Sequence, residues 1–340
     1  PAPPVMPQGY FDGETDFARR LESFAANRKF EDPAAGHTLR GLVQAAKGRY
    51  GVETVYAWHA LAGYWSGISS ELARATRLPL VSPTSMPTRH LLRLEPRVGW
   101  DPTTVFGAGL VADDPADPTA LDRFYHNLHG ALADAGVDGV KVDVQAGVPA
   151  LGNGLGGGPA LANRYTRAME ASVVERFGAN CINCMCHSTE NLYAYGETAL
   201  ARASDDFYPA RPESHTAHII NVAYNSLFLG EICLPDWDMF QSLHEVAGLH
   251  AAARAIGGCP VYVSDKPGQH DVKLLRKLVL PDGSVLRAQS HVRPAGDLNH
   301  AAAAPCRMPQ PPRLVLAPCR MPQPPCPSRL VLCVSLCACE

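Results

Sequence analysis

The 340-residue sequence predicts an α/β protein built as a (β/α)8 barrel, incomplete at about six β/α units and followed by a disordered Pro-rich tail. Two observations carry this expectation. Short apolar runs alternate with longer amphipathic ones between residues 51 and 264, the rhythm of parallel strands joined by helical crossovers. Polar or reactive residues also stand at the carboxyl end of nearly every short run: Trp58 and His59, Asp143, Cys186 and His187, Asp205 and Asp206, Asp236 and Asp238, Ser264 and Asp265. A barrel opens all those ends onto one mouth, whereas an open doubly wound sheet concentrates function at one switch point.

In chain order, "VETVYAWHA" (52–60) is the first expected strand. "PTALDRFYHNLHGALADAG" (118–136) repeats Leu121, Phe124, Tyr125, Leu128 and Leu132 at helical spacing and stops at Gly136. "VDGVKVDVQ" (137–145) reads as a strand whose period of two puts Lys141, Asp143 and Gln145 on one face and Val140, Val142 and Val144 on the other. The run "LGNGLGGGP" (151–159) satisfies G-x-G-x-x-G but lies eight residues beyond the strand's polar end, so it is expected as a loop over the mouth rather than a nucleotide cradle. A helix follows over 162–178 and another over 242–258. Strands are expected over 181–188, 198–206, 225–238 and 258–265.

Residues 1–297 are expected to form the catalytic domain and 298–340 a Pro/Cys-rich tail, because "APCRMPQPPRLVL" (304–316) is echoed by "APCRMPQPP" (317–325) and "RLVL" (329–332). A hydrophobic content of 46% suffices for a sizeable core. The formal charge of −3, with no Lys/Arg cluster among aromatics, argues against nucleic acid. No apolar run reaches the ~20 residues that span a bilayer, so no membrane partner is expected. The 11 cysteines are odd in number and uneven in spacing, which argues for a reducing compartment. A cytoplasmic location is expected, with a plastid left open because the chain starts at Pro1 without a visible leader.

Two carboxylates at neighbouring strand ends are what glycoside cleavage requires: a nucleophile and an acid ~5 Å apart in the retaining form. Asp143 is the expected nucleophile, with Lys141 on its face holding it ionised. "RASDD" offers Asp205 and Asp206 as acids, and strand parity allows only one of them to point into the mouth with Arg202. In "LPDWDMF" (234–240), Trp237 is a candidate to stack on a sugar ring, and Asp236 and Asp238 are candidates to accept hydroxyl hydrogen bonds. "CINCMCHS" (181–188) invites zinc, but Cys184 and Cys186 face away from Cys181 and His187 on a strand, so no metal is expected. Cys186 remains a candidate substrate contact, and no cofactor is called for.

At "YAWHALAGYW", "GVDGVKVDVQ", "CMCHSTENLY", "RASDDFYP", "LPDWDMFQSLH", "AARAIGG" and "YVSDKPG" the chain resembles the plant raffinose synthase and alkaline α-galactosidase (seed imbibition protein) family, within glycoside hydrolase family 36. The resemblance covers roughly residues 10–295. It implies a retaining α-galactosyl enzyme on a β/α barrel, either a galactinol–sucrose galactosyltransferase or an alkaline α-galactosidase. Galactinol, sucrose and raffinose-type oligosaccharides are the implied partners. It also implies Asp143 as nucleophile, Asp206 as acid/base, and Lys141, Arg202, Trp58 and Cys186 as galactose contacts. The family's first two barrel strands and flanking β-domains have no counterpart here, so the alternative expectation is a catalytically silent truncated chain that at most binds sugar.

Overall fold

The structure is a computed structural model that describes residues 19–27, 30, 32, 37–83, 108–286 and 288, together with the backbone of 331–335. The chain divides into two compact units. The first runs to Asp205 and takes in Ile232–Asp236 and the 331–335 segment; the second comprises Asp206–Glu231 and the described residues 237–286 and 288.

In the first unit, helix α1 (Leu39–Tyr50) begins where Thr38 accepts a hydrogen bond from the Gly41 N–H and ends at Gly51. Strand β1 (Thr54–Ala60) follows, then helix α2 (Ser70–Thr76) capped by Ser69, and the short antiparallel pair β2 (Leu80–Val81) and β3 (Leu110–Val111). Helix α3 (Ala120–Asp134) leads to β4 (Gly139–Asp143), and the one-turn α4 (Gly147–Ala150) and long α5 (Gly158–Phe177) lead to β5 (Cys181–Asn183). Helix α6 (Thr189–Leu192), β6 (Leu200–Arg202), β7 (Leu234–Asp236) and β8 (Val331–Ser335) complete it.

Six strands form one sheet in the order β7-β6-β5-β4-β1-β8, and every neighbouring pair is parallel. The unit is therefore α/β with a parallel sheet. From β1 to β7 the large-sheet strands stand in chain order without reversal, so among the described residues this stretch shows no switch point of the doubly wound kind. Val140 and Val142 point into the core with Leu128, Leu132, Tyr165, Met169 and Val173 from α3 and α5. Asp138 ties β1 to β4: one carboxylate oxygen accepts from the Val55 N–H at 2.7 Å and the other from Lys47 of α1 at 2.7 Å.

Three expectations need correction. The segment 225–238 is not one strand, because Asn225–Leu229 completes helix α7 (Pro212–Leu229) of the second unit and only Leu234–Asp236 is extended. A short apolar run fits a buried strand and a helix end equally well, and Pro212 in the first turn starts a helix that carries through it. Over 258–265 only a single parallel bridge, Phe240 to Val263, replaces the expected strand. Finally, residues 331–335, expected outside the fold, pair with β1 from Thr54–Val331 to Trp58–Ser335. The edge of β1 presents unpaired backbone groups, and this run, free of proline, can satisfy them.

The second unit contains α7, α8 (Ala247–Gly257) and α9 (Val272–Leu275). Its centre is Arg254, fully buried, whose guanidinium donates to the carbonyls of Trp237 (2.8 Å), Asp238 (3.1 Å) and Met239 (3.0 Å). One cation thus satisfies three carbonyls of a turn whose middle residue, Asp238, has φ +61°.

Candidate active site

Strand β4 places the charges of "GVKVDVQ" as its alternation requires: Val140 and Val142 are buried against helices, and the half-buried Lys141 and the buried Asp143 take the opposite face. Lys141 pairs in register with Trp58 of β1 and Ile182 of β5, and Asp143 pairs with Ala60. Asp143 is the last residue of its strand. Its Oδ2 accepts from the Trp58 indole N–H at 2.9 Å and its Oδ1 from the Val144 N–H at 2.8 Å, so both oxygens are oriented. The ring of Trp58 is in turn held edge-on by Tyr64, with centroids 5.9 Å apart, and lies 6.3 Å from Trp65. Tyr64 and Trp65 were not singled out from sequence, although both lie in "YAWHALAGYW".

Gln145 does not share that face. The chain turns at Val144, which has φ +55°, and the Gln145 amide is buried, donating to the Val142 carbonyl (2.9 Å) and to Asn183 (2.8 Å) while accepting from the Tyr195 hydroxyl (2.7 Å). Asn183 continues to Thr198, which with three backbone N–H groups of 196–198 donates to the buried Glu170. This chain of bonds links the turn after Asp143 to the segment entering β6. His59 also leaves the mouth: it is buried on the helix side, its Nε2 3.1 Å from that of His129, and burial lowers its pKa to about 4.

Arg202 and Asp236 are register partners on β6 and β7 and form an ion pair at 2.9 Å with side-chain exposures of 1% and 0%. Both were expected to contact substrate; here they are sealed against each other. Cys186 is likewise fully buried, and burial pushes its thiol up to about 12, a small apolar filler rather than an open contact. The run at 151–159 folds back on itself, with the Leu155 and Gly157 N–H groups both donating to the Gly152 carbonyl. Asp205 is exposed at the end of this unit.

Within the second unit, Asp206 is exposed on the loop that opens it. Trp237, the candidate stacking platform, is 3% exposed; its indole donates to Ser226 at 2.9 Å and its ring lies where a Cβ at Gly257 would come within 2.9 Å. It fills a core position. Asp238 is fully buried and accepts from the Phe207 N–H (2.7 Å) and the Tyr262 hydroxyl (3.3 Å), so its carboxylate braces a turn.

Comparison with known proteins adds the lineage. The chain is 48% identical over 284 residues to "Probable galactinol--sucrose galactosyltransferase 6" of Arabidopsis thaliana, an overlap of 82% of this chain and 36% of that one. It is 37% identical over 294 residues to "Galactinol--sucrose galactosyltransferase" of Pisum sativum, with 82% and 36% covered. The chain thus spans about a third of the length of these curated relatives. A solved structure, "TtGalA, alpha-galactosidase from Thermus thermophilus in complex with stachyose", is similar with a TM-score of 0.43 and 16% identity, over 76% of this chain and 64% of that one. The family described as "Raffinose synthase or seed imbibition protein Sip1" matches residues 9–306, and the chain belongs to it.

Proposed function

We propose that this chain carries the galactosyl-transfer centre of a retaining α-galactosyl enzyme, taking galactose from galactinol to sucrose or, where water intercepts it, releasing it. The observation that carries this reading is Asp143 at the end of β4, its two oxygens held by the Trp58 indole and the Val144 N–H on the face it shares with Lys141. A carboxylate so fixed presents one oxygen to an anomeric carbon with little reorganisation. In this reading Asp143 attacks that carbon and forms a galactosyl ester. Asp206 protonates the departing oxygen and then takes the proton of the incoming hydroxyl, as microscopic reversibility requires. Lys141 grips a sugar hydroxyl beside the nucleophile. Transfer and hydrolysis share the ester and differ only in whether a sucrose hydroxyl or water opens it.

The chain-order winding of parallel strands supports a β/α barrel as the frame for this centre, with strand ends gathered at one mouth. The names of the relatives support galactinol and sucrose as substrates. A cytoplasmic site of action belongs to the same proposal. Cleavage of an aryl α-galactoside and galactinol-dependent transfer to sucrose test it: activity that vanishes in Asp143→Ala supports the reading. A cooperatively folded parent chain that turns over neither substrate overturns it in favour of a silent chain that at most binds sugar.

A further inference from the structure

Outside the residues that hold Asp143, the first unit carries a cavity of about 250 Å³ lined by Pro159, Asn163, Thr189, Glu190, Tyr193 and Ala194. We propose that this cavity is a second sugar subsite, which takes one ring of the acceptor glycoside beyond the galactose. This rests on the galactosyl-transfer reading above.

Position is the first argument. One wall is the start of α5, reached through the loop after β4; the other is α6 and the two residues that follow it, reached through the loop after β5. Both walls therefore follow the carboxyl ends of adjacent strands, the end at which Asp143 sits. The two loops are tied together by the Ala146 N–H donating to the Met185 carbonyl at 2.7 Å, and the 152–157 turn closes on itself, so the walls are formed before any ligand arrives.

Chemistry is the second argument. Tyr193 is 80% exposed, a large amphipathic ring left open to solvent where a pyranose face could stack on it. Around it stand an amide, a hydroxyl and a carboxylate, from Asn163, Thr189 and Glu190. Among the described residues these side chains and the Tyr193 hydroxyl make no hydrogen bond, so their capacity is available to vicinal hydroxyls. Among the described residues no cation lines the cavity, which disfavours a phosphate or carboxylate ligand. Its volume lies just under the ~300 Å³ at which pockets for drug-sized ligands begin, room for one sugar ring rather than a nucleotide.

Sucrose, which lacks galactose, is the probe, with saturation-transfer NMR on the full 340-residue chain as the readout. Tyr193→Ala is expected to weaken sucrose binding roughly tenfold, the size of one aromatic contact, and Glu190→Gln to weaken it less. Tyr50→Ala, another exposed tyrosine (67%) outside the cavity, is expected to leave it unchanged. Sucrose binding that is equal in the parent and Tyr193→Ala, or absent from the parent, overturns the subsite. The galactosyl-transfer reading is judged separately by aryl α-galactoside cleavage, which needs no acceptor: a parent that binds sucrose through Tyr193 but cleaves nothing keeps the subsite and loses that reading.

Discussion

Two charged constellations on one sheet are built in opposite ways. Arg202 and Asp236 sit side by side on β6 and β7, wholly buried, each neutralised by the other. Asp143 ends β4 with its oxygens held by an indole and a backbone N–H rather than closed by a guanidinium. The contrast separates charge used for architecture from charge kept for chemistry: a pair this deeply buried offers a ligand almost no surface, whereas an oriented carboxylate at a strand end still has lone pairs to offer.

Substitution should divide the two regions. The largest expected effect is Asp143→Asn, which keeps shape and acceptor oxygen but removes the nucleophile. α-Galactoside turnover falls by roughly 10⁴-fold or more, while unfolding loses only about 1–3 kcal/mol, because the new amide nitrogen faces one of the two N–H donors that Asp143 accepts from; a loss of stability without a loss of activity would erase the distinction. Asp236→Ala does the reverse, stranding the Arg202 guanidinium in the interior. It is expected to cost about 3–5 kcal/mol of unfolding free energy, and a melting curve like the parent's would show the pair to be less sealed than its geometry implies.

Acid supplies a third way to probe the architecture. Burial holds His59 neutral, its pKa lowered to about 4 from 6.5, and its partner His129 is depressed in the same sense by burial first and by His59 second. The unfolded chain binds these protons more readily, so the stability contributed by neutral imidazoles is complete above pH 6.5 and drains away as pH falls toward 4. Urea midpoints across that window should drop, with His59 alone contributing of the order of 3 kcal/mol; a flat profile would count against the buried neutral pair. The smallest effect is expected from Trp58→Phe, which keeps the ring but removes the hydrogen bond to Asp143. It should slow turnover about tenfold, the worth of about 1.5 kcal/mol, with melting little changed.

What sequence revealed here followed the reach of local periodicity. Alternation in 137–145 placed Lys141 and Asp143 on one face, and helical spacing placed α3, α5 and α8 within a few residues. It failed where the backbone leaves a regular element. Gln145 was assigned to the wrong face because nothing local announces that Val144 adopts φ +55°. Trp237 looked like a sugar platform because the space that swallows it is made twenty residues away by Gly257. Arg202 and Asp236 looked like ligand contacts because a buried pair and an open site draw on the same residue types, and only cross-strand register tells them apart. The exposure of Tyr193 has no signature in local periodicity, because it depends on how two loops meet.

The most direct test of the central claim is to trap the galactosyl ester. A slow fluorinated α-galactosyl donor incubated with the chain, followed by proteolysis and mass spectrometry, should add one fluorogalactosyl unit to the peptide bearing Asp143. Label on any other residue, or none on a chain that turns substrate over, would contradict the assignment of Asp143 as the nucleophile.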